Sequence, residues 1–316
     1  MPTYFFDILS KAEAVRTSPD LLDNRPFLQV ERRSGGDGNR LTREASLYVP
    51  SPQLSDAINT AIAVGQPLLL TGDPGVGKTQ AAYYIAEVLG RGKVLHFQVR
   101  STTTARDLKY DFDAVRYMAE ASLRGALSKR RDFIYPRDLW TAFESASPRV
   151  LLIDEIDKAP RDFPNDLLRE IDQMEFEIEE ADPDAPESDR VIRARPESRP
   201  IIIITSNAER QLPEPFLRRC IYFHIEFDEK TVAKIVERRR GNFPSLSDGF
   251  VQSAVNSLIN LRRTGLDKPP STGELLVWLE LLDARGETKL PEQLQNLPGL
   301  SALVKTQEDR NRLNGR

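Results

Sequence analysis

Apolar residues follow two regimes along the chain. Between residues 51 and 227, short continuous apolar runs alternate with segments whose apolar positions recur every three to four residues. Leu68-Leu69-Leu70 and Val94 to Val99 read as strands, and the apolar runs Val150 to Ile153 and Ile201 to Thr205 as buried ones, the first covered on both faces. Ile221 to Phe227 alternates instead, as a strand with one wetter face does. Helical spacing links these runs. Ser51 and Pro52 open a helix as cap and first-turn proline, with Leu54, Ala57, Ile58, Ala61 and Ile62 on one face and Gly65 at its end. Ala81, Ala82, Ile85, Ala86 and Leu89 predict a second, closing at Gly90.

From Asp228 onward only the helical period remains. Val232, Ile235 and Val236 mark one helix, and Phe250, Ala254, Leu258 and Leu261 a second. Leu275, Leu276, Leu279 and Leu282 mark a third, capped by Ser271 or Thr272, and a last helix is expected near Leu300 to Leu313. The chain is therefore expected to divide into an N-terminal extension (1-50, with a flexible turn at Ser34 to Gly38), an α/β domain (51-227) built on a five-stranded parallel sheet, and a smaller all-helical domain with a C-terminal tail (228-316).

Two interruptions of the α/β pattern read as insertions. Residues 100-147 are too long for a simple crossover; they hold a helix around Asp113 to Leu123, a basic group at Lys129-Arg130-Arg131 read as a solvated loop, and a short helix near Arg137 to Ala146. Residues 175-198 suggest two short strands, Phe176 to Ile178 and Val191 to Arg193, joined by an acidic tip read as solvated. Pro164 starts a helix with Leu167, Leu168 and Ile171 inward, and Leu212 to Cys220 forms another.

The chemistry is concentrated at the ends of the predicted strands. Gly72-Asp73-Pro74-Gly75-Val76-Gly77-Lys78-Thr79 fits G-x-x-x-x-G-K-[ST] and lies between a strand and a helix, the context a phosphate-cradling loop requires. Glycines let successive N–H groups turn toward a phosphate, and the helix adds the positive end of its dipole. Lys78 is expected at the β/γ-phosphates of ATP and the Thr79 hydroxyl on Mg²⁺. In an open parallel sheet the ligand sits at the C-terminal strand ends. Asp154 there is expected to hold the Mg²⁺ shell and Glu155 to activate water. Asn207, after the next strand, can hydrogen-bond that water without titrating. His96 and His224 lack ligand partners at metal spacing and read as structural.

Composition narrows the possibilities. With 44 basic against 48 acidic residues, the formal net charge of -4 argues against binding nucleic acid through bulk positive charge. The single cysteine, Cys220, excludes an internal disulfide and a cysteine-rich metal site. No run approaches a bilayer span and the start is unlike a signal peptide, so a cytoplasmic location is expected.

GDPGVGKT, LLIDEID, IIIITSN and FLRRC, in that order and followed by helices, resemble the AAA+ ATPases, and within them the MoxR family of the helix-2-insert clade. The resemblance covers residues from about 45 to 285. It implies that the first motif is Walker A, that Asp154 and Glu155 are Walker B, that Asn207 is sensor 1, and that Arg219 is the arginine finger, with Arg218 the neighbouring candidate. It also implies a homo-oligomeric ring, usually a hexamer, that remodels a partner protein, often one with a von Willebrand factor A domain. The chain departs from the family at Pro269-Pro270-Ser271-Thr272-Gly273-Glu274-Leu275, where the sensor-2 arginine is missing; Lys268, Arg262 or Arg263 could replace it. Two other readings remain open at this stage: a nucleic-acid motor or loader, and a slow nucleotide-gated scaffold.

Overall fold

The computed structural model describes residues 39-124 and 129-315, so the turn expected at Ser34 to Gly38 and most of the N-terminal extension lie outside the described residues. The described residues form two compact units. One comprises Pro50–Gly72 and Lys78–Ile225; the other gathers the described residues before Pro50, the loop Asp73–Gly77, and Glu226–Arg316.

In the first unit the strands are β1 (Leu68–Thr71), β2 (Leu95–Gln98), β3 (Tyr110–Phe112), β4 (Ile134–Pro136), β5 (Val150–Asp154), β6 (Glu175–Glu177), β7 (Val191–Arg193), β8 (Ile201–Ser206) and β9 (Ile221–His224). Five of them make the expected parallel sheet, in the order β2-β5-β8-β1-β9. β1 and β5 are buried throughout, which explains why they read as unbroken apolar runs. At the edge, β9 shows Tyr222 57% exposed, the wetter face its alternation announced.

The helices α1 (Pro52–Val64) and α2 (Lys78–Val88) flank β1 in sequence. Ser51 caps α1 by accepting from the Leu54 N–H, and Gly65 ends it in the left-handed region at φ 67°. Ile62 and Leu89, expected on inner faces, are 40% and 37% exposed. Both stand near the C-terminal end of their helix, and Ile62 lies at the edge of the stripe formed by Leu54, Ala57, Ile58 and Ala61.

The first insertion is more ordered than its sequence suggested. A short helix (Ala105–Lys109), α3 (Ala114–Arg124) and α4 (Asp138–Glu144) accompany an antiparallel pair, β3 with β4. Three-residue strands give too few positions for a period to show. The basic group is not a solvated loop: the Arg131 guanidinium lies 4.4 Å from the Trp140 ring centroid, and the Arg130 N–H donates to Asp182. The second insertion is the antiparallel pair β6–β7, with β7 where expected and β6 one residue earlier, and its acidic tip is not merely solvated. Glu180 accepts from the Tyr110 hydroxyl at 2.5 Å and from Arg106 at 2.8 Å. Burial raises the Glu180 carboxyl, but these two bonds outweigh it and hold it below its ordinary range. Phe176 on β6 packs against Tyr110, Trp140 and Phe143, so an aromatic cluster ties the two insertions together. The helix expected from Pro164 is two short ones, Phe163–Asp166 and Leu168–Gln173, with Leu167 buried at the junction and Leu168 only partly buried. The helix expected over Leu212 to Cys220 is limited to Glu214–Leu217.

In the second unit α5 (Glu229–Arg238), α6 (Asp248–Arg263), α7 (Thr272–Arg285) and α8 (Gln307–Leu313) surround Phe243, Leu258, Leu275, Trp278 and Leu282. Ser271 is the cap of α7, closing a capping box with Glu274. The last helix begins only at Gln307, because Thr306 caps it by accepting from the Asp309 N–H; a 3-10 turn at Leu300–Ala302 precedes it. Before Pro50, Glu44 and Arg239 form an ion pair, each side chain 8% exposed.

Candidate active site

β1, β5 and β8 are adjacent and parallel, so their C-terminal ends open on the same edge of the sheet. The first unit brings five of the predicted residues to that edge. Lys78 and Thr79 begin α2, Asp154 ends β5, Glu155 follows it, and Asn207 follows β8. Lys78 is buried, and its ammonium donates to the Gly72 carbonyl at 2.6 Å. The Thr79 hydroxyl lies 3.0 and 3.2 Å from the two carboxylate oxygens of Asp154.

Asp154 is only 5% exposed and accepts from three side chains. Thr205 donates to Oδ1 at 2.5 Å, and His96 Nε2 stands 3.2 Å from Oδ2, in addition to Thr79. Burial pushes the Asp154 carboxyl up, yet the bonds from His96, Thr205 and Thr79 dominate together and hold it below the usual carboxylate value. These bonds thus favour its ionised form.

Glu155 adopts φ 59° and ψ 52°, a left-handed conformation costly for a side chain with a Cβ. Its N–H donates to Thr205 Oγ1 at 2.8 Å, which helps to hold that turn. Its carboxylate accepts from Gln98 at 2.6 Å, from Asn207 Nδ2 at 3.4 Å and from Lys158 at 2.5 Å. Asp157, 3% exposed, fixes the segment after β8 by accepting from the N–H groups of Asn207 (3.2 Å) and Glu209 (3.0 Å).

Several of these contacts escaped the sequence. Thr205 looked like the last residue of a buried strand, and only the β5–β8 pairing shows its hydroxyl serving both Asp154 and Glu155. Asp157 was visible in D-E-x-D, though its partners lie some fifty residues away. His96 is not merely structural: it touches Asp154.

The structure does not bring Arg218 or Arg219 into contact with these groups. Arg219 pairs with Asp172, and Arg218, just past the helix Glu214–Leu217, with Glu214; their side chains are 42% and 75% exposed. Cys220, partly buried beside them, has its thiol pushed up to about 12 by burial, with Asp172 adding to the shift.

The rest of the glycine-rich loop, Asp73–Gly77, packs within the helical unit. The Gly75 carbonyl accepts from the Gly273 N–H at 3.2 Å. A side chain at Gly75 would put its Cβ 2.3 Å from Ser271 Oγ, and φ of 79° already disfavours one. Arg262 approaches Asp73 at 4.0 Å, donates to the Pro270 carbonyl at 2.6 Å and stacks on Phe227 at 3.8 Å. Arg263 pairs with Glu229 instead.

The donor set fits Mg²⁺: the oxygens of Thr79 and Asp154 converge, and a cation that keeps waters and phosphates needs few protein ligands. Among the described residues no group of three or more His, Cys, Asp or Glu could hold a metal alone, and no helix is long and apolar enough to cross a membrane.

Residues 67–220 match the family model of the AAA domain, dynein-related subfamily. No curated protein matches the sequence significantly. Among solved structures, NtrX from Brucella abortus in complex with ADP superposes with a TM-score of 0.51 at 15% identity, over 91% of this chain and 63% of that one. The same protein with ATP gives 0.48 at 16%, over 88% and 59%. A candidate ATPase from Cytophaga hutchinsonii gives 0.41 at 14%, over 92% and 96%. The chain thus spans less than two thirds of the NtrX chains, and at 15% identity the likeness to NtrX with ADP is one of fold. Sheet order, loop and family match together give residues 67–220 of this chain the AAA+ P-loop fold.

Proposed function

We propose that the chain is a Mg²⁺-dependent ATP hydrolase of the MoxR type, working as a homo-oligomeric ring, a hexamer, that remodels a partner protein. The observation that carries the hydrolase reading is the convergence of Lys78, Thr79, Asp154, Glu155 and Asn207 at one sheet edge. In this reading the backbone N–H groups from Gly72 to Thr79 cradle the phosphates, and the Lys78 ammonium exchanges its Gly72 carbonyl for phosphate oxygen. Thr79 and Asp154 hold Mg²⁺, which draws negative charge from the phosphate oxygens when bound. Glu155 takes a proton from the attacking water while the Asn207 amide orients it, and the 3.4 Å contact between them sets the two groups side by side.

In this reading Lys78 is the side-chain cation that one subunit brings to the phosphates, and a further one for charge developing on the γ-phosphate comes from a neighbour. Arg219 fills that role for a neighbouring subunit, with Arg218 the alternative; in their own chain they pair with Asp172 and Glu214 instead. Arg262 stands in for the missing sensor-2 arginine; its approach to Asp73 supports this choice over Arg263 and Lys268. The vWA-domain partner and the cytoplasmic setting follow from the family resemblance alone.

Turnover of ATP across a protein concentration series tests the reading. The expected result is Mg²⁺-dependent phosphate release whose rate per subunit rises with concentration, and loss of ATP binding in Lys78→Ala. Absence of turnover at every concentration, or binding unaffected by Lys78→Ala, would contradict it.

A further inference from the structure

Asp154 has a second line of support besides the hydroxyls of Thr79 and Thr205. Parallel pairing sets Gln98 opposite Asp154 and His96 opposite Leu152, so His96 shares a strand face with Gln98, two pairs short of the carboxylate. From there its Nε2 reaches Asp154 Oδ2 at 3.2 Å, and its Nδ1 lies 2.9 Å from the Tyr83 hydroxyl. The Tyr83 and His96 rings meet edge to face, 5.9 Å between centroids.

The chemistry of the partners orders this chain. An ionised carboxylate only accepts, so Nε2 must carry the hydrogen; in the neutral imidazole Nδ1 is then an acceptor, and the Tyr83 hydroxyl donates to it. Tyr83 follows Thr79 by four residues on α2, so both stand on one face of that helix. The helix therefore acts on Asp154 twice, directly through Thr79 and at one remove through Tyr83 and His96. The hold on the carboxylate is also two-sided: Thr205 secures Oδ1 and His96 secures Oδ2. Two donors on opposite oxygens fix the carboxylate plane whatever the Thr79 hydroxyl does.

We infer that His96 is a positioning residue that, oriented by Tyr83, aims the Asp154 carboxylate for divalent-cation binding. The inference rests on the Mg²⁺ site proposed above and adds residues that no motif assigns. Ligand-orienting neighbours of this kind are worth about 10–100-fold in metal affinity.

The test is Mn²⁺ titration, followed by electron paramagnetic resonance, of the full chain saturated with ADP. Parallel measurements give ADP affinity in EDTA and the melting temperature without ligands. In His96→Leu the Mn²⁺ affinity is expected to fall about 10–100-fold, with ADP affinity in EDTA unchanged. His96→Gln, whose amide nitrogen can replace Nε2 as donor, should recover most of the loss, and Tyr83→Phe should show a smaller one. Parental Mn²⁺ affinity in His96→Leu would overturn the inference. So would equal losses with and without the metal in both His96 variants, which would mark a purely structural role. Should His96→Leu not fold, parental Mn²⁺ affinity in Tyr83→Phe overturns the inference and a selective loss supports it. If the parent–ADP complex binds no Mn²⁺, the Mg²⁺ reading itself falls and takes the inference with it. Normal binding in parent and variants alike would contradict the inference alone.

Discussion

The Thr79 hydroxyl donates to the Asp154 carboxylate at 3.0 Å across 75 residues of sequence. One group opens the helix after the glycine-rich loop and the other closes a strand, so the contact exists only because β5, β8 and β1 stand side by side. It joins two separate motifs at the place proposed for Mg²⁺. Thr79→Val should preserve the packing of α2 while removing the hydroxyl. The expected outcome is nucleotide binding that no longer responds to Mg²⁺, checked by calorimetry of ADP with and without the metal.

Arg219 pairs with Asp172 in its own chain and is 42% exposed. If it serves a neighbour's site, Arg219→Ala binds ATP normally but loses the part of turnover that depends on concentration, by about 10³-fold or more. Measuring both variants decides the alternative: activity that instead tracks Arg218→Ala moves the role one residue earlier.

Cys220 should be nearly inert in the folded protein. Its thiol is held near 12 by burial and Asp172, against about 8.5 in an unfolded chain. The neutral thiol is thus favoured by folding, a contribution fully present below about pH 8.5 and lost as pH rises toward 12. Reaction with an aromatic disulfide reagent at pH 8 should be slow until denaturant is added. Rapid labelling of the native protein would contradict this environment.

Glu44 and Arg239 are paired and buried in the helical unit, and Glu44 also accepts from Arg40 at 2.7 Å. Removing one partner strands a buried charge. Glu44→Ala should destabilise the protein by about 3–5 kcal/mol, read by urea unfolding, whereas replacing both partners with apolar residues of similar size should cost far less.

Doubly covered strands such as β1 and β5 made the centre of the sheet legible, because burial on both faces leaves an unbroken apolar run such as Val150 to Ile153. The walls of the site were legible for the same reason: Asp154, Glu155 and Asn207 follow such runs directly. What stayed hidden depends on cross-strand register or on contacts between insertions. Thr205 and His96 gain their meaning from neighbours on β5, which no local pattern encodes. Arg131 looked solvated until Trp140, nine positions on, supplied the face it covers. β3 and β4 are too short to show a period, and of their paired residues only Tyr110 and Ile134 are buried.

The central claim is that Glu155, held in a strained turn beside Asn207, activates the water that attacks ATP. Single-turnover hydrolysis in parent and Glu155→Gln tests it most directly. The account predicts similar ATP affinity in both and a turnover lower by about 10²–10⁴-fold in the variant. Equal turnover in the two proteins would contradict it.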